Sequence, residues 1–443
     1  MREFICENIA EEQGRLTFAG QDTVELAAQY GTPLYLLDED RIRHNCRVYR
    51  EAFAKHFGPG SQPLYASKAS SFCRIYRIMQ EEGMGIDVVS SGEIYTAQQA
   101  GFDLSRAFFH SNNKTDEDIR FAISCGVGYF IVDNEEELCA IEAEAQRQGI
   151  RQKVLLRLTP GIDPHTYEAV STGKVDSKFG AAIETGQAEE LVAYTLQKSH
   201  IELMGFHCHV GSQVFAEDVF ERAATVMLEF ITAMKQKYGY LAGMLNLGGG
   251  YGVRYVDSDG YLDIGQKIAE VAQVVHADCR RLGIEEPAIL MEPGRSIVAD
   301  AGMTLYTVGM VKRIPGYKNY VSIDGGMADN PRFALYQSRY TCLPANKMDE
   351  PCDMTCSVVG RCCESGDIIQ ENVQMPTSIS RGDVVAVCTT GAYNYSMASN
   401  YNRLPRPPIV MLTGGRSYIA VRRETVEDIV RLDLSCSCEE YHT

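Results

Sequence analysis

No run of apolar residues in this 443-residue chain approaches the roughly 20 needed to cross a bilayer. The N-terminal "MREFICENIAEEQGRL" carries acids where a secretory leader would need an apolar stretch. Both absences predict a cytoplasmic protein with no membrane partner. Basic residues are also in deficit: 42 Lys and Arg stand against 59 Asp and Glu, a net charge of −17. That charge repels phosphate backbones, so nucleic acid is not expected as a partner. No cysteine spacing matches a zinc site; Cys352 with Cys356, the doublet Cys362–Cys363, and the tail set Cys436, Cys438 and His442 come nearest. No metal is therefore expected. Fifteen cysteines, an odd number in a chain too large to depend on disulfides, predict reduced thiols. Internal repeats and low-complexity tracts are absent.

With 45% hydrophobic residues and 23% charged, the chain can bury a large core, and its length predicts two domains. From residue 60 onward, short apolar runs alternate with amphipathic helical stretches. The runs are "PLYAS", "GIDVVS", "AFFHS", "YFIVD", "KVLLRL", "LMGFHCHV", "MLNL" and "AILME". Helix-like segments such as "DEDIRFAISCG" and "AEDVFERAATVMLEFITAMKQ" lie between them, and Thr115-x-x-Asp118 offers a capping box. Eight such repeats predict an α/β (β/α)₈ TIM-type barrel over residues 33–303, with its working face at the C-terminal strand ends. Polar groups do follow the strands: Lys68, Ser90–Ser91, "SNNK", "TPG", "HVGSQ", "GGG" and "EPGR". Beyond residue 303, β-rich runs such as "MTLYTVGMVKRI", "YVSID", "DVVAVCT" and "IVMLTG" predict a C-terminal β-sandwich or β-barrel domain of residues 304–443. Residues 1–32 are expected to join it, adding a strand.

The glycines of "LNLGGGYG" alone would more often be a tight turn than an anion site. Gly294 and Arg295 on the next loop, with Ser212 on the preceding one, favour a phosphate-binding reading. Lys68 in "LYASKAS" would ordinarily be a solvated surface charge. A desolvated lysine in a barrel mouth can instead form a Schiff base, and a lysine beside a phosphate site suggests pyridoxal phosphate.

In "YASKAS", "DVVSSGE", "TGKVDSKFG", "GFHCHVGSQ", "LGGGYG", "EPGRSIVADAG", "CESGD" and "GAYNYSMASNYN", taken in order, the chain resembles the fold-type III pyridoxal-phosphate decarboxylases along nearly its whole length. The resemblance implies that Lys68 holds the cofactor as an imine and that His209 stacks on its ring. It implies a phosphate loop of Gly248, Gly249, Gly250, Gly294 and Arg295 with Ser212, and further cofactor contacts from Asp87 and Tyr393. Glu292 is expected to face the pyridine nitrogen and keep it protonated, which makes the ring an electron sink. Cys363 resembles the residue that reprotonates the carbanion, reaching in from the second subunit of a homodimer with shared sites. Arg295, Arg332, Tyr336, Glu364 and Tyr393 resemble the substrate-reading set. The chain has Ser67 and Ser70 beside the lysine, Phe333, and Arg361–Cys362 where the family more often has other residues.

Arginine suits a carboxylate and glutamate an ammonium. Both together suit a substrate with an amino-acid head at each end, so the resemblance implies conversion of meso-2,6-diaminopimelate to L-lysine and CO₂. The competing readings are a decarboxylase of ornithine, lysine, arginine or a carboxylated polyamine, and an inactive regulatory relative; the presence of Lys68, Glu292 and Cys363 argues against the latter. His165, Thr172, Gly173 and the run Asp176–Gly180 also fit the family.

Overall fold

The eight apolar runs fold as parallel strands: β1 Gln62–Ala66, β2 Gly85–Val88, β3 Ala107–Phe109, β4 Tyr129–Val132, β5 Gln152–Thr159, β6 Ile201–His207, β7 Met244–Asn246 and β8 Ala288–Met291. Each pairs with the next, and β8 returns to β1 through Leu290↔Gln62 and Met291↔Pro63, closing the barrel. Short runs bounded by turn residues become strands here because each is flanked by a helix that covers its outer face. Inside, Leu64, Phe108, Ile131, Leu155 and Leu290 form a buried cluster, with Tyr129, Met204 and Met244 packed against it. The rings of Phe108 and Tyr129 stack at 4.3 Å. Burying each large side chain contributes roughly 1.5–3 kcal/mol, so this plug fixes the strand ends above it.

The helix Asp116–Ser124 starts at the expected capping box: Asp118 N donates to Thr115 Oγ1 and Thr115 N to Asp118 Oδ2. The long helix Val219–Tyr238 stops at Gly239, whose φ of 68° suits a residue without Cβ.

The computed structural model describes residues 4–162, 178–216 and 218–434. The chain divides into one unit of Asp40–Asp300 and another of Met1–Glu39 with Ala301–Thr443. The boundary therefore lies a few residues inside the expected 33–303. Strand Leu34–Asp38 pairs antiparallel with Gly302–Leu305 and parallel with Ile409–Leu412, both in the β unit.

In that second unit the strand Gly302–Ile314 is the spine. Its first half also pairs with Val384–Cys388, and its second half, past an irregularity between Val308 and Met310, pairs with Lys318–Ile323. The sheet continues through Met354–Val359 and Ile368–Met375 on one side and Ile409–Thr413 and Arg416–Val421 on the other. The first thirty residues do not supply the added strand. They form their own three-stranded sheet, Ile9–Glu12, Arg15–Phe18 and Gln21–Asp22, followed by the helix Thr23–Tyr30. Leu16, Phe18 and Leu26 join Met303, Leu305, Ala386 and Val410 in one core. Among the described residues no helix is long and apolar enough to cross a membrane, and every cysteine is a free thiol.

Candidate active site

In a closed parallel barrel the side chains at the C-terminal strand ends converge on one mouth. Glu292, just past β8, is buried there. Its Oε1 accepts from Asn246 Nδ2 at 2.6 Å and lies 2.8 Å from His110 Nε2, while Oε2 pairs with His207 Nε2 at 3.2 Å. Burial alone would raise this carboxyl; His110 and His207 outweigh it and hold the group well below the ordinary carboxylate range. Glu292 is an anion. Asp87, in β2, contrasts with it: burial raises its pKa against the pull of His110, and Oδ1, 4.0 Å from His110 Nε2, has no hydrogen-bond partner. Ligand atoms of His110, His207 and Glu292 all lie within 4.8 Å of one another, close enough to grip a cation. The amide N–H of Asn246 directed at Oε1 fits an arrangement built to hold an anion instead.

The three glycines after β7 are dictated by close approach. A Cβ on Gly248 would stand 2.6 Å from the Cys208 carbonyl oxygen, one on Gly249 2.0 Å from that of Glu292, and one on Gly250 2.0 Å from that of Gly211. Gly248 and Gly250 also have φ of 70° and 112°. The loop is tied at both ends: at Gly248, whose N donates to Asn246 Oδ1 at 2.9 Å and whose O accepts from Glu292 N at 2.8 Å, and at Gly250, whose O accepts from Val214 N at 2.9 Å. The result is a bare-backbone cradle between the sixth- and eighth-strand loops. Beside it, Arg295 donates through Nη2 to Ser212 Oγ at 2.9 Å and through Nη1 to Tyr255 OH at 2.7 Å. Gly294, whose Cβ would meet Ala66 Cβ at 2.9 Å, keeps this loop against the end of β1. A cradle that a Cβ would fill, an arginine locked at its rim and a buried carboxylate behind it fit a phosphorylated, ring-nitrogen cofactor.

Lys68 lies in the 3₁₀ turn Ser67–Ala69 directly after β1, and its side chain is exposed. This departs from the desolvated setting expected for it: the turn buries Ser67 and Ala69 and directs the residue between them to solvent. Its charge is felt by Asp87, Glu93 and His209. Burial, then the charges of Lys68 and Arg157, hold His209 well below the usual imidazole value. Its Nδ1 accepts from Gly249 N at 3.3 Å, which places the proton of this neutral ring on Nε2.

The β unit carries the remaining expected residues. Arg332 is buried between two rings, 5.4 Å from the Tyr336 centroid and 4.9 Å from that of Tyr393. Tyr393 has a φ of 70°. Cys363 and Glu364 are exposed on a loop that Asn402 holds by accepting from Cys363 N at 2.7 Å. Cys362 is buried, and burial pushes its thiol up to about 11. The two thiols of the doublet are thus different in kind.

The expected residues fall in these two groups, one per unit. His165, Thr172, Gly173, Asp176 and Ser177 of the family-like run, and Cys436, Cys438 and His442 of the tail, lie outside the described residues. Lys178–Gly180 do not: Arg157 lies 4.2 Å from the Phe179 ring centroid, and Gly180 N donates to Asp133 Oδ1 at 3.0 Å. The motif reading missed His110, His207, Asn246, Arg157 and Glu93. Strand register was the available signal for one of them: His207 stands two residues before His209, the spacing that returns a strand to the same face.

A family model described as pyridoxal-dependent decarboxylase, pyridoxal binding domain, matches residues 39–299. The chain is 44% identical over 423 residues to a diaminopimelate decarboxylase of Bacillus subtilis, covering 96% of each. It is similar to the crystal structure of diaminopimelate decarboxylase from M. jannaschii in co-complex with L-lysine, with a TM-score of 0.90 and 32% identity over 98% of this chain and 99% of that one. A lysine/ornithine decarboxylase from Vibrio vulnificus complexed with putrescine is more distant, with a TM-score of 0.74 and 25% identity over 88% of this chain and 98% of that one.

Proposed function

This chain belongs to the pyridoxal-dependent decarboxylases, and from that premise we propose that it removes one carboxyl group from meso-2,6-diaminopimelate, giving L-lysine and CO₂ in the closing step of lysine formation. The observation that carries the reading is the buried Glu292, whose two oxygens are held by Asn246, His110 and His207. Pyridoxal phosphate, when bound, supplies an electron sink for the pair released as the bond to CO₂ breaks, and a carboxylate opposite its ring nitrogen strengthens that sink.

In this reading Lys68 holds the cofactor's aldehyde carbon through its amine. Gly248, Gly249, Gly250, Gly294, Arg295 and Ser212 take the phosphate, the neutral His209 ring packs on the cofactor ring, and Asp87 and Tyr393 complete its contacts. Arg332, steadied by Tyr336 and Tyr393, pairs with the substrate's distal carboxylate, while Glu364 takes the distal ammonium. Arg295 serves substrate as well as phosphate. Cys363 delivers a proton to the carbon that lost CO₂; it is the exposed member of the doublet, whereas Cys362 is buried with a raised pKa. Cys363 and Glu364 serve the partner subunit of a homodimer.

The test is CO₂ release by the cofactor-loaded enzyme from meso-diaminopimelate, L-ornithine and L-lysine side by side. Release from diaminopimelate alone, reduced by Arg332→Ala, is the expected result. Release from ornithine or lysine, the substrates in the name of the Vibrio vulnificus relative, would keep the reaction and overturn the roles of Arg332 and Glu364.

A further inference from the structure

Side chains to which the proposed mechanism gives no role hold both oxygens of Glu292. Asn246 reaches Oε1 at 2.6 Å and His207 reaches Oε2 at 3.2 Å. All three residues are buried and come from consecutive strand ends, those of β6, β7 and β8. The orientation of the Asn246 amide is not arbitrary. Its Oδ1 accepts from Gly248 N at 2.9 Å, so the face turned to Glu292 must be the donating nitrogen. His207 is similarly determined: donation from Nε2 leaves Nδ1 as the acceptor, and Nδ1 is buried with no partner. Burial also pushes His207 down to about 4, so the ring is uncharged at neutral pH.

Two neutral donors on one carboxylate have a particular consequence. An arginine or lysine in their place would also keep Glu292 ionised, but it would cancel the charge. A neutral amide and a neutral imidazole stabilise the anion against desolvation while leaving its unit charge for another group to meet. Asp87, the other acid near the floor, lacks such donors on Oδ1, and its pKa moves the opposite way.

We infer that Asn246 and His207 are positioning residues that keep Glu292 anionic and aimed, so that the ring nitrogen of the bound cofactor is held protonated. The inference rests on the proposed role of Glu292 and adds to it the residues that make that role possible. His110, 2.8 Å from Oε1, completes the enclosure.

Ring-¹⁵N pyridoxal phosphate bound to the enzyme reports the protonation of that nitrogen directly, alongside kcat and KM. Asn246→Asp keeps the acceptor for Gly248 N but sets a second carboxylate against Glu292; His207→Leu removes the other donor. Both are expected to shift the ¹⁵N signal toward the unprotonated ring and to lower kcat at least tenfold with little change in KM. His207→Gln, which retains an N–H donor, is expected to restore the protonated signal, and it answers the question if the leucine variant does not fold. Glu292→Gln separates the two levels of inference. A shifted signal in Glu292→Gln with wild-type signals in Asn246→Asp and His207→Leu would overturn the positioning role alone. A wild-type signal in Glu292→Gln would remove the role of Glu292, and this inference with it.

Discussion

Replacing Gly249 by alanine tests the glycine loop on a defined distance. The new Cβ would stand 2.0 Å from the carbonyl oxygen of Glu292, and real Cβ atoms essentially never come within 3.0 Å of such an atom. The loop or the end of β8 must therefore yield by about 1 Å. Neither is free to, because Glu292 N donates to Gly248 O at 2.8 Å and Gly248 N to Asn246 Oδ1 at 2.9 Å, and the obstacle is backbone that has no rotamer to change. Overpacking of this kind costs about 1–3 kcal/mol. Set against the cofactor-bound form, that corresponds to a roughly five- to 150-fold weaker Kd, at 1.4 kcal/mol per factor of ten. Gly243→Ala, just before β7, is the control, since its Cβ would meet only Met204 O at 3.7 Å. Titration of cofactor-free protein with pyridoxal phosphate, and in parallel with pyridoxal, gives both affinities. The alanine at 249 is expected to erase most of the preference for the phosphorylated ligand, and the control to retain it. If Gly249→Ala binds both ligands within twofold of wild type, the glycines form a turn and the phosphate is held elsewhere.

Lys114 has a fully buried ammonium that donates to Glu137 Oε1 at 2.6 Å and to the carbonyls of Ile131 and Ser111 at 2.8 and 3.1 Å. Lys114→Met strands the Glu137 carboxylate and should cost about 3–5 kcal/mol in urea unfolding, with partial recovery in Lys114→Met/Glu137→Gln; strictly additive losses would refute the coupling. Burial raises Asp329 to about 7 despite hydrogen bonds from Tyr306 and Gly326 N. Because the native state keeps this proton after the unfolded chain has released it near 3.8, the group stabilises at low pH. That contribution is lost as pH rises through 7, by about 1.4 kcal/mol per unit within the window. Asp329→Asn should flatten the fall in stability between pH 5 and 7, and an unchanged slope would rule out the assignment. Finally, Lys68→Ala and Cys363→Ala proteins, each inactive, should recover activity when mixed under verified subunit exchange. Failure to recover would count against sites shared across a dimer.

The barrel was legible because its signals are local. Each strand is a short apolar run closed by turn residues, and polar residues follow seven of the eight. The strand Leu34–Asp38 was not legible in this way. "LYLLD" is an unremarkable apolar run next to the barrel's start, and only its pairing with residues about 270 and 370 positions away assigns it to the β unit. The same limit applies to the site. Gly248, Gly249, Gly250 and Arg295 have roles that their motifs suggest, whereas Asn246 and His207 sit at the ends of strand runs and meet Glu292 across 46 and 85 residues of chain. Nothing in "MLNL" says that its asparagine turns toward a carboxylate on the neighbouring strand.

Lys68 marks a different limit. Small and apolar neighbours in "LYASKAS" suggest burial, and the neighbours are indeed buried: Ser67, Ala69 and Ser70 are all at or below 1% exposure. In a 3₁₀ turn of three residues per turn, however, successive side chains point about 120° apart, so the flanking positions can be buried while the central one faces another way. Composition around a residue thus described the environment of the turn and not that of the amine. Lys68 is surrounded instead by groups that sense its charge, Asp87, Glu93 and His209. Of these, Glu93 is raised to about 7 by burial.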